Sequence, residues 1–232
     1  DSAKALAIAG LSKEQRKKFG VFPLRGKMLN VRDASQAQII NNSEIINIKR
    51  IMGLQQGQDI KNANDLSKLR YGRICLMTDA DVDGFHIKGL ALNNFAVLWK
   101  GLFEIDHFFC SIRTPIIKVT RGKTVKSFYT IPAYDKWFNA LDEGEQKKCK
   151  IKYYKGLGTS TSKEAQQYFD NLDKNMVYYT SEELNDTHKH LEMAFKKSTV
   201  KDKCSDRRKE WLGNFDPMCE LKYNKNNEAS IS

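Results

Sequence analysis

The spacing of hydrophobic residues changes along the chain, and the changes predict alternating helices and strands. Between 34 and 52, apolar residues recur at intervals of three and four, which predicts a helix ended by Gly53. A continuous apolar run at 73–78 predicts a strand buried on both faces, and a helix is expected from about 86 to 100. Strand, acidic turn and helix form one α/β unit, whose ligands bind beyond the carboxyl end of the strand.

Shorter patterns predict the remaining elements. Thr161 and Glu164 form a capping box at the start of a helix, and 121–123 is typical of a hairpin turn. Residues 55–68 are polar and predict a loop, and the polar end of the chain is expected to fray. The other expected elements are helices near 1–7 (capped by Asp1 or Ser2), 182–197 and 205–212, and strands at 20–24, 112–120, 127–131 and 151–154.

Composition places the chain among globular proteins. The 232 residues are 41% hydrophobic and 10% aromatic, which is enough to bury a core and excludes a disordered tail. No apolar run approaches the ~18 residues of a membrane helix and no apolar leader opens the chain, so we expect no membrane partner and no secretory signal. Five widely spaced cysteines without C-x-x-C argue against a disulfide scaffold or zinc knuckle and favour a reducing compartment.

The charge balance indicates a polyanionic partner. Lysine and arginine total 39 against 28 acidic residues, and a net charge of +11 suggests nucleic acid. Acidic residues nevertheless crowd into one short segment, 79–84. A basic surface with one concentrated acidic segment is the arrangement that a metal site facing a polyanion requires.

The acidic segment reads D-A-D-V-D-G, with Asp79, Asp81 and Asp83 at alternate positions. Carboxylates this close repel one another unless a cation holds them, and hard divalent cations prefer oxygen ligands. An EF-hand loop begins in the same way, but its twelfth position must be glutamate and is Leu90 here. Mg²⁺, with Mn²⁺ as a substitute, is the preferred ion because it uses one or two carboxylates plus substrate phosphate. A solvated acidic turn is the alternative.

Three basic segments are candidate anion sites. P-L-R-G-K-M-L-N at 23–30 places a glycine between two cations, so that the backbone can approach a phosphate closely. K-Y-Y-K-G-L-G-T-S at 152–160 brings Lys155, two glycines and hydroxyls to a helix N-terminus. The basic residues of 196–209 are candidate contacts to a duplex backbone. Surface turns and a solvated helix face are the alternatives, and no G-x-x-x-x-G-K-[ST] supports nucleotide hydrolysis within the chain.

Taken in order, these motifs resemble a type IIA DNA topoisomerase over nearly the whole chain. The resemblance rests on D-S-A-K-A-L-A, P-L-R-G-K-M-L-N-V-R-D-A-S, L-R-Y-G-R-I-C-L-M-T-D-A-D-V-D-G-F-H-I-K-G-L, T-P-I-I-K-V, K-Y-Y-K-G-L-G-T-S-T-S-K-E-A and D-R-R-K-E-W-L. The sequences P-L-R-G-K and K-Y-Y-K-G-L-G-T-S-T-S resemble the eukaryotic forms of these motifs, whereas D-A-D-V-D-G resembles the form found in bacterial gyrases. The resemblance implies an α/β Toprim domain (a Rossmann-like parallel sheet flanked by helices) at 1–119 and a mixed α+β extension at 120–232, leading toward a winged-helix domain.

The resemblance also implies roles for individual residues. In the family, a further metal-binding glutamate would stand two residues before Asp1, and the nucleophilic tyrosine belongs to the winged-helix domain, beyond Ser232. None of the nine tyrosines here has its context, so no catalytic residue is expected in this chain. The expected metal ligands are Asp79, Asp81 and Asp83, and the DNA contacts that the resemblance implies are Arg25 (beside the cleaved step), Lys27, Asn30, Lys196 and Lys197. Lys155 is a further expected DNA contact, on the basis of the K-Y-Y-K-G-L-G-T-S segment alone.

The implied function is part of an ATP-dependent type II topoisomerase, which passes one DNA duplex through another. Mg²⁺ at the aspartates would support double-strand cleavage and religation by a tyrosine of another domain, with ATP bound in a further domain. Double-stranded DNA is the expected partner, the whole enzyme is expected to be a homodimer, and its expected location is the nucleus if it is eukaryotic, and otherwise the cytoplasm. The alternatives are a Toprim nuclease or primase and a Mg²⁺-dependent DNA-binding module. Alone, the chain is expected to be inactive.

Overall fold

The computed structural model describes residues 2–55, 58, 60–180, 184–214, 216 and 224–230. Its strands are β1 (Ile74–Leu76), β2 (Phe109–Ile112), β3 (Ile117–Arg121), β4 (Thr124–Phe128), β5 (Lys150–Tyr153), β6 (Met176–Thr180) and β7 (Glu228–Ser230). Its α-helices are α1 (Ser2–Gly10), α2 (Lys13–Arg16), α3 (Gln36–Ile40), α4 (Ser43–Met52), α5 (Ala63–Leu66), α6 (Val82–Leu98), α7 (Lys100–Phe103), α8 (Ile131–Asn139), α9 (Glu143–Lys147), α10 (Ser162–Asp170), α11 (Leu172–Asn175), α12 (Leu184–Phe195) and α13 (Cys204–Gly213).

The strands form two sheets within the described residues. The larger has the order β1-β2-β6-β7 and the smaller the order β4-β3-β5. β1 runs parallel to β2, and β6 runs antiparallel to β2. The predicted α/β class is therefore confirmed, with a mixed rather than wholly parallel sheet, because β6 from the second half of the chain joins β2. In the smaller sheet, β3 runs across 119 and 120, the predicted domain boundary.

Several predicted strands were wrong in extent. Residues 20–24 contain no strand: they have no partner in either sheet, and they line a cleft instead. The predicted strand 112–120 is interrupted at Pro115, whose missing N–H suits the chain's departure from the larger sheet. The predicted strand at 127–131 ends at Phe128, because Thr130 caps α8 by accepting the N–H of Ala133.

The helical predictions hold better, with different boundaries. The helix predicted at 34–52 is two helices, since Asn42 caps α4 by accepting the Ile45 N–H at 3.0 Å. α5 lies within the predicted loop 55–68. The capping box of Thr161 is confirmed. The predicted cap Asp1 and the first residues of the helix predicted at 182–197 lie outside the described residues.

The main core forms around α6, whose second half is buried. Phe95 contacts Phe109 of β2 edge to face, with ring centroids 5.0 Å apart, and also packs on Trp99. The fully or nearly fully buried members of this core include Ile60, Phe95, Leu102, Phe103, Phe108 and Phe109.

None of the helices in the described part of the chain is long and apolar enough to span a bilayer.

Helix α1 packs closely on α10. A Cβ atom at Gly10 would lie 2.2 Å from the Phe169 ring and 2.9 Å from the carbonyl oxygen of Ala165. Because Ala165 is completely buried, the contact has no room to open. The predicted N-terminal helix is thereby fixed against the second half of the chain.

We expect Gly10→Ala to destabilise the protein by about 1–3 kcal/mol, because overpacking outweighs the helix propensity gained by alanine. Gly213→Ala is the matched control, since no atom lies within 4 Å of its added Cβ. Urea unfolding of both variants measures the difference. If Gly10→Ala is as stable as the control, the close contact between α1 and α10 is not formed.

Candidate metal and nucleic-acid site

The acidic segment joins the end of β1 to the start of α6. Asp81 has an extended backbone, and its Oδ1 accepts the N–H of Gly84 at 2.7 Å, so it is the N-cap of α6. The helix therefore begins at Val82, four residues earlier than its apolar pattern predicts. The carboxylates consequently lie beside the positive end of a long helix, which favours negative charge.

Asp79 is joined to a distant motif. Its Oδ1 accepts the backbone N–H of Leu157 at 2.7 Å, across 78 positions of sequence. The neighbouring Gly156 permits this approach, because a Cβ atom there would lie 3.1 Å from the same oxygen. The K-G-L-G segment thus contacts the acidic segment, as an anion-binding turn would, but its anion here is the protein's own carboxylate.

Asp83 is joined to the first basic motif. The ammonium of Lys27 lies 2.9 Å from Asp83 Oδ1, and both side chains are largely exposed, at 50% and 70%. The hydrogen bond from Lys27, together with its charge, lowers the pKa of Asp83. Two motifs that lie far apart in the sequence therefore meet in one ion pair.

The three aspartates line one cleft of about 720 Å³ together with Gly26 and Leu157. They do not converge on a common point: no three His, Cys, Asp or Glu side chains in the described ranges lie close enough to hold a metal ion. Oδ2 of Asp79 and of Asp81 makes no hydrogen bond to the described residues. Since Mg²⁺ typically uses only one or two carboxylates and keeps waters, this donor set fits Mg²⁺ through Asp79 and Asp81.

The turn at Arg25 and Lys27 has the conformation that its sequence predicts. Gly26 has φ of +79°, which favours glycine, and no atom lies within 4 Å of the Cβ position. Arg25 and Lys27 are exposed on either side, while Met28 is buried in the main core. The turn therefore exposes two cations to solvent, while the buried side chain of Met28 holds the adjoining backbone against the core.

Asn30 is engaged within the protein. Its side-chain Nδ2 donates to the carbonyl of Phe195 at 2.6 Å, and its Oδ1 accepts from Asn93 Nδ2 at 3.2 Å and from the Arg32 N–H at 3.3 Å. Asn93 also accepts from Arg32 Nε at 2.7 Å. This geometry makes Asn30 an anchor for the basic segment, and the second N–H of its Nδ2 makes no hydrogen bond to the described residues. The sequence analysis missed this network. Two adjacent asparagines, Asn93 and Asn94, in an otherwise apolar helix were the sequence signal that would have indicated it.

The remaining predicted DNA contacts differ in availability. Lys155 is exposed beside the segment that contacts Asp79. Lys196 is held by Glu192 at 2.7 Å and Asp202 at 3.1 Å, and these bonds raise its pKa. Lys197 is exposed, with its backbone N–H bonded to an aspartate. Among the described residues, the ammonium groups of Lys155 and Lys197 have no carboxylate partner and are available to a phosphate, whereas Lys196 must first leave its carboxylates.

Glu164 forms a partly buried ionic cluster that the sequence did not reveal. Besides closing the capping box on Thr161, it lies 2.9 Å from Lys152 Nζ and 3.5 Å from Lys118 Nζ, and it accepts a hydrogen bond from the Tyr154 hydroxyl. Burial favours the neutral acid, but the bonds from Thr161, Tyr154 and Lys152 outweigh it and lower the pKa of Glu164 to about 2. Burial and this bond raise the pKa of Tyr154, so its hydroxyl is a structural donor.

The fold and the acidic segment define a Toprim protein. The Toprim domain family matches residues 1–111, and the C-terminal associated domain of Toprim matches residues 112–232, so the chain belongs to this family. The relatives it resembles are eukaryotic type II topoisomerases, which confirms the resemblance inferred from the motifs. Two of them are DNA topoisomerase 2-alpha of Rattus norvegicus, 46% identical over 93% of this chain, and DNA topoisomerase 2 of Bombyx mori, 45% identical over 97%.

A solved structure agrees in fold. The topoisomerase II DNA-binding, cleavage and re-ligation domain of Plasmodium falciparum matches with a TM-score of 0.83 and 42% identity, over 100% of this chain and 30% of that one. The chain spans about 14% of the length of the rat and silkworm relatives. It therefore corresponds to one part of a much larger type II topoisomerase.

We expect the Glu164 cluster to make stability depend on pH. Because the folded-state pKa is about 2 and the ordinary value is 4.5, the stabilisation is full above about pH 4.5 and is lost as pH falls toward 2. Glu164→Gln removes this charge, so its stability should fall less steeply across that interval. Thermal unfolding between pH 2 and 7 measures both proteins, with exposed Glu210→Gln as the control. Parallel curves for wild type and Glu164→Gln would contradict the assignment.

Proposed function

We propose that this chain is the metal- and DNA-holding part of a eukaryotic, ATP-dependent type II DNA topoisomerase. The ion pair between Lys27 and Asp83 carries the proposal, because it joins a phosphate-binding turn to the acidic segment at one surface. DNA held there would have its backbone between cations and carboxylates. The nucleophilic tyrosine and the ATP site belong to other domains of a homodimeric nuclear enzyme.

The residues of this chain would bind and orient the scissile region of the DNA. Arg25, Lys27, Lys155 and Lys197 would contact phosphates, which fixes position without reading sequence. Asp79 and Asp81 would hold Mg²⁺, whose chemistry is to stabilise charge on the phosphate oxygens during cleavage and religation. Asn30 would position the basic turn, and its second Nδ2 N–H would be the donor for the predicted DNA contact.

If Lys27 contacts a phosphate, Lys27→Ala should weaken binding about equally on unrelated duplexes and reduce the salt slope by about 1. Lys123→Ala, in the exposed β3–β4 turn of the smaller sheet, is the matched control and should leave both quantities nearly unchanged. Fluorescence anisotropy at several salt concentrations measures them. A loss confined to one DNA sequence would indicate base readout and overturn the assignment.

Mg²⁺ should raise the melting temperature of the wild type beyond the effect of NaCl at matched ionic strength, because it binds the folded site and removes repulsion. Asp81→Asn should reduce this rise while leaving the metal-free protein at least as stable, since asparagine caps a helix as well as aspartate. Asp135→Asn, an exposed substitution on α8, is the control. If Mg²⁺ does no more than NaCl for the wild type, the segment is a solvated acidic turn.

A further inference from the structure

Among the three aspartates, Asp83 alone has a side-chain partner that can leave. Asp79 and Asp81 each accept a backbone N–H at 2.7 Å, so their positions are fixed by the fold. Asp83 pairs with Lys27, whose flexible side chain is half exposed. An ion pair in this environment is screened by water and contributes only about 0.2–1 kcal/mol, so a competing charge can displace it.

Each partner of this pair has a candidate competitor. A divalent cation held by Asp79 and Asp81 would attract the nearby carboxylate of Asp83, and a DNA phosphate would attract the ammonium of Lys27. Arg25, the other cation of the turn, is exposed and makes no ion pair within the described residues. Lys27 is thus the cation of the turn whose availability depends on the state of the acidic segment.

We propose that Lys27 and a divalent cation compete for the carboxylate of Asp83, so that cation binding at the acidic segment releases Lys27 to a DNA phosphate. The proposal rests on the proposed function and adds a means by which the metal and DNA assist each other. By linkage the effect is reciprocal: a phosphate that takes Lys27 frees Asp83 and raises affinity for the cation by the same factor.

A double-mutant cycle on DNA affinity separates this exchange from simple charge removal. Wild type, Lys27→Ala, Asp83→Asn and the double variant are compared on one duplex, in chelator and in Mg²⁺ at matched ionic strength. In chelator, Asp83→Asn should tighten binding about two- to fivefold by freeing Lys27. In the Lys27→Ala background, Asp83→Asn should give little or no such gain in DNA affinity. In Mg²⁺, the gain in DNA affinity from Asp83→Asn should be smaller than in chelator, whether Lys27 is present or not. A gain that is equal in the two backgrounds would overturn the exchange.

Metal affinity without DNA gives a second readout. Isothermal titration with MgCl₂ should show about two- to fivefold tighter binding by Lys27→Ala, because the competitor is gone. Arg25→Ala removes the same charge from the same turn and should have a smaller effect. Equal effects of the two variants, or no Mg²⁺ binding by any of them, would overturn the proposal.

The two readouts also distinguish the failures. If the wild type binds no DNA but Lys27→Ala still tightens Mg²⁺ binding, the proposed function fails while the competition for Asp83 stands. If Lys27→Ala weakens DNA binding but the cycle is additive and Mg²⁺ affinity is unchanged, the proposed function stands and the exchange fails. All the substituted side chains are exposed, so folding is expected to be retained.

Discussion

The first turn of α6 lies directly against the end of β1, and the arrangement of the site follows from this contact. A Cβ atom at Gly84 would lie 2.0 Å from the carbonyl oxygen of Asp79, so only glycine allows the helix to begin there. Asp81 then caps the helix through the Gly84 N–H. Within D-x-D-x-D-G, the backbone therefore accounts for the glycine and for the capping Asp81, and the three carboxylates have different surroundings.

The second half of the chain completes this site. Leu157, whose N–H binds Asp79, follows β5 and precedes α10, and both elements are joined by the Glu164 cluster. Removing charges even partly from water is costly unless they satisfy one another, and in this partly buried cluster a carboxylate, two ammonium groups and a hydroxyl do so. The smaller sheet is thus a support that fixes one oxygen of Asp79.

The sequence predicts features that depend on local rules and misses those that depend on distant partners. The strand before Asp79, the glycine turn at Gly26 and the capping box of Thr161 follow from periodicity and backbone preference, and the structure contains all three. The strand is only partly buried, however, because Ile74 and Cys75 line the cleft. The pairing of Lys27 with Asp83 and the anchoring of Asn30 by Asn93 join residues tens of positions apart. For the same reason residues 20–24 were wrongly predicted as a strand, since an apolar run does not show whether a ladder partner exists.

In the proposed function, charge would act on DNA at two ranges. The net charge of +11 attracts a polyanion from a distance, up to a Debye length of about 8–10 Å at physiological salt, and this attraction does not depend on metal. At contact, however, a phosphate near Lys27 would meet the carboxylate of Asp83. This carboxylate repels the phosphate and already pairs with the ammonium of Lys27. Approach is therefore favoured by the whole surface, while close engagement is opposed by the acidic segment alone. A divalent cation held by Asp79 and Asp81 would neutralise those two carboxylates, which in the proposed function would place a metal requirement at the engagement step rather than at encounter.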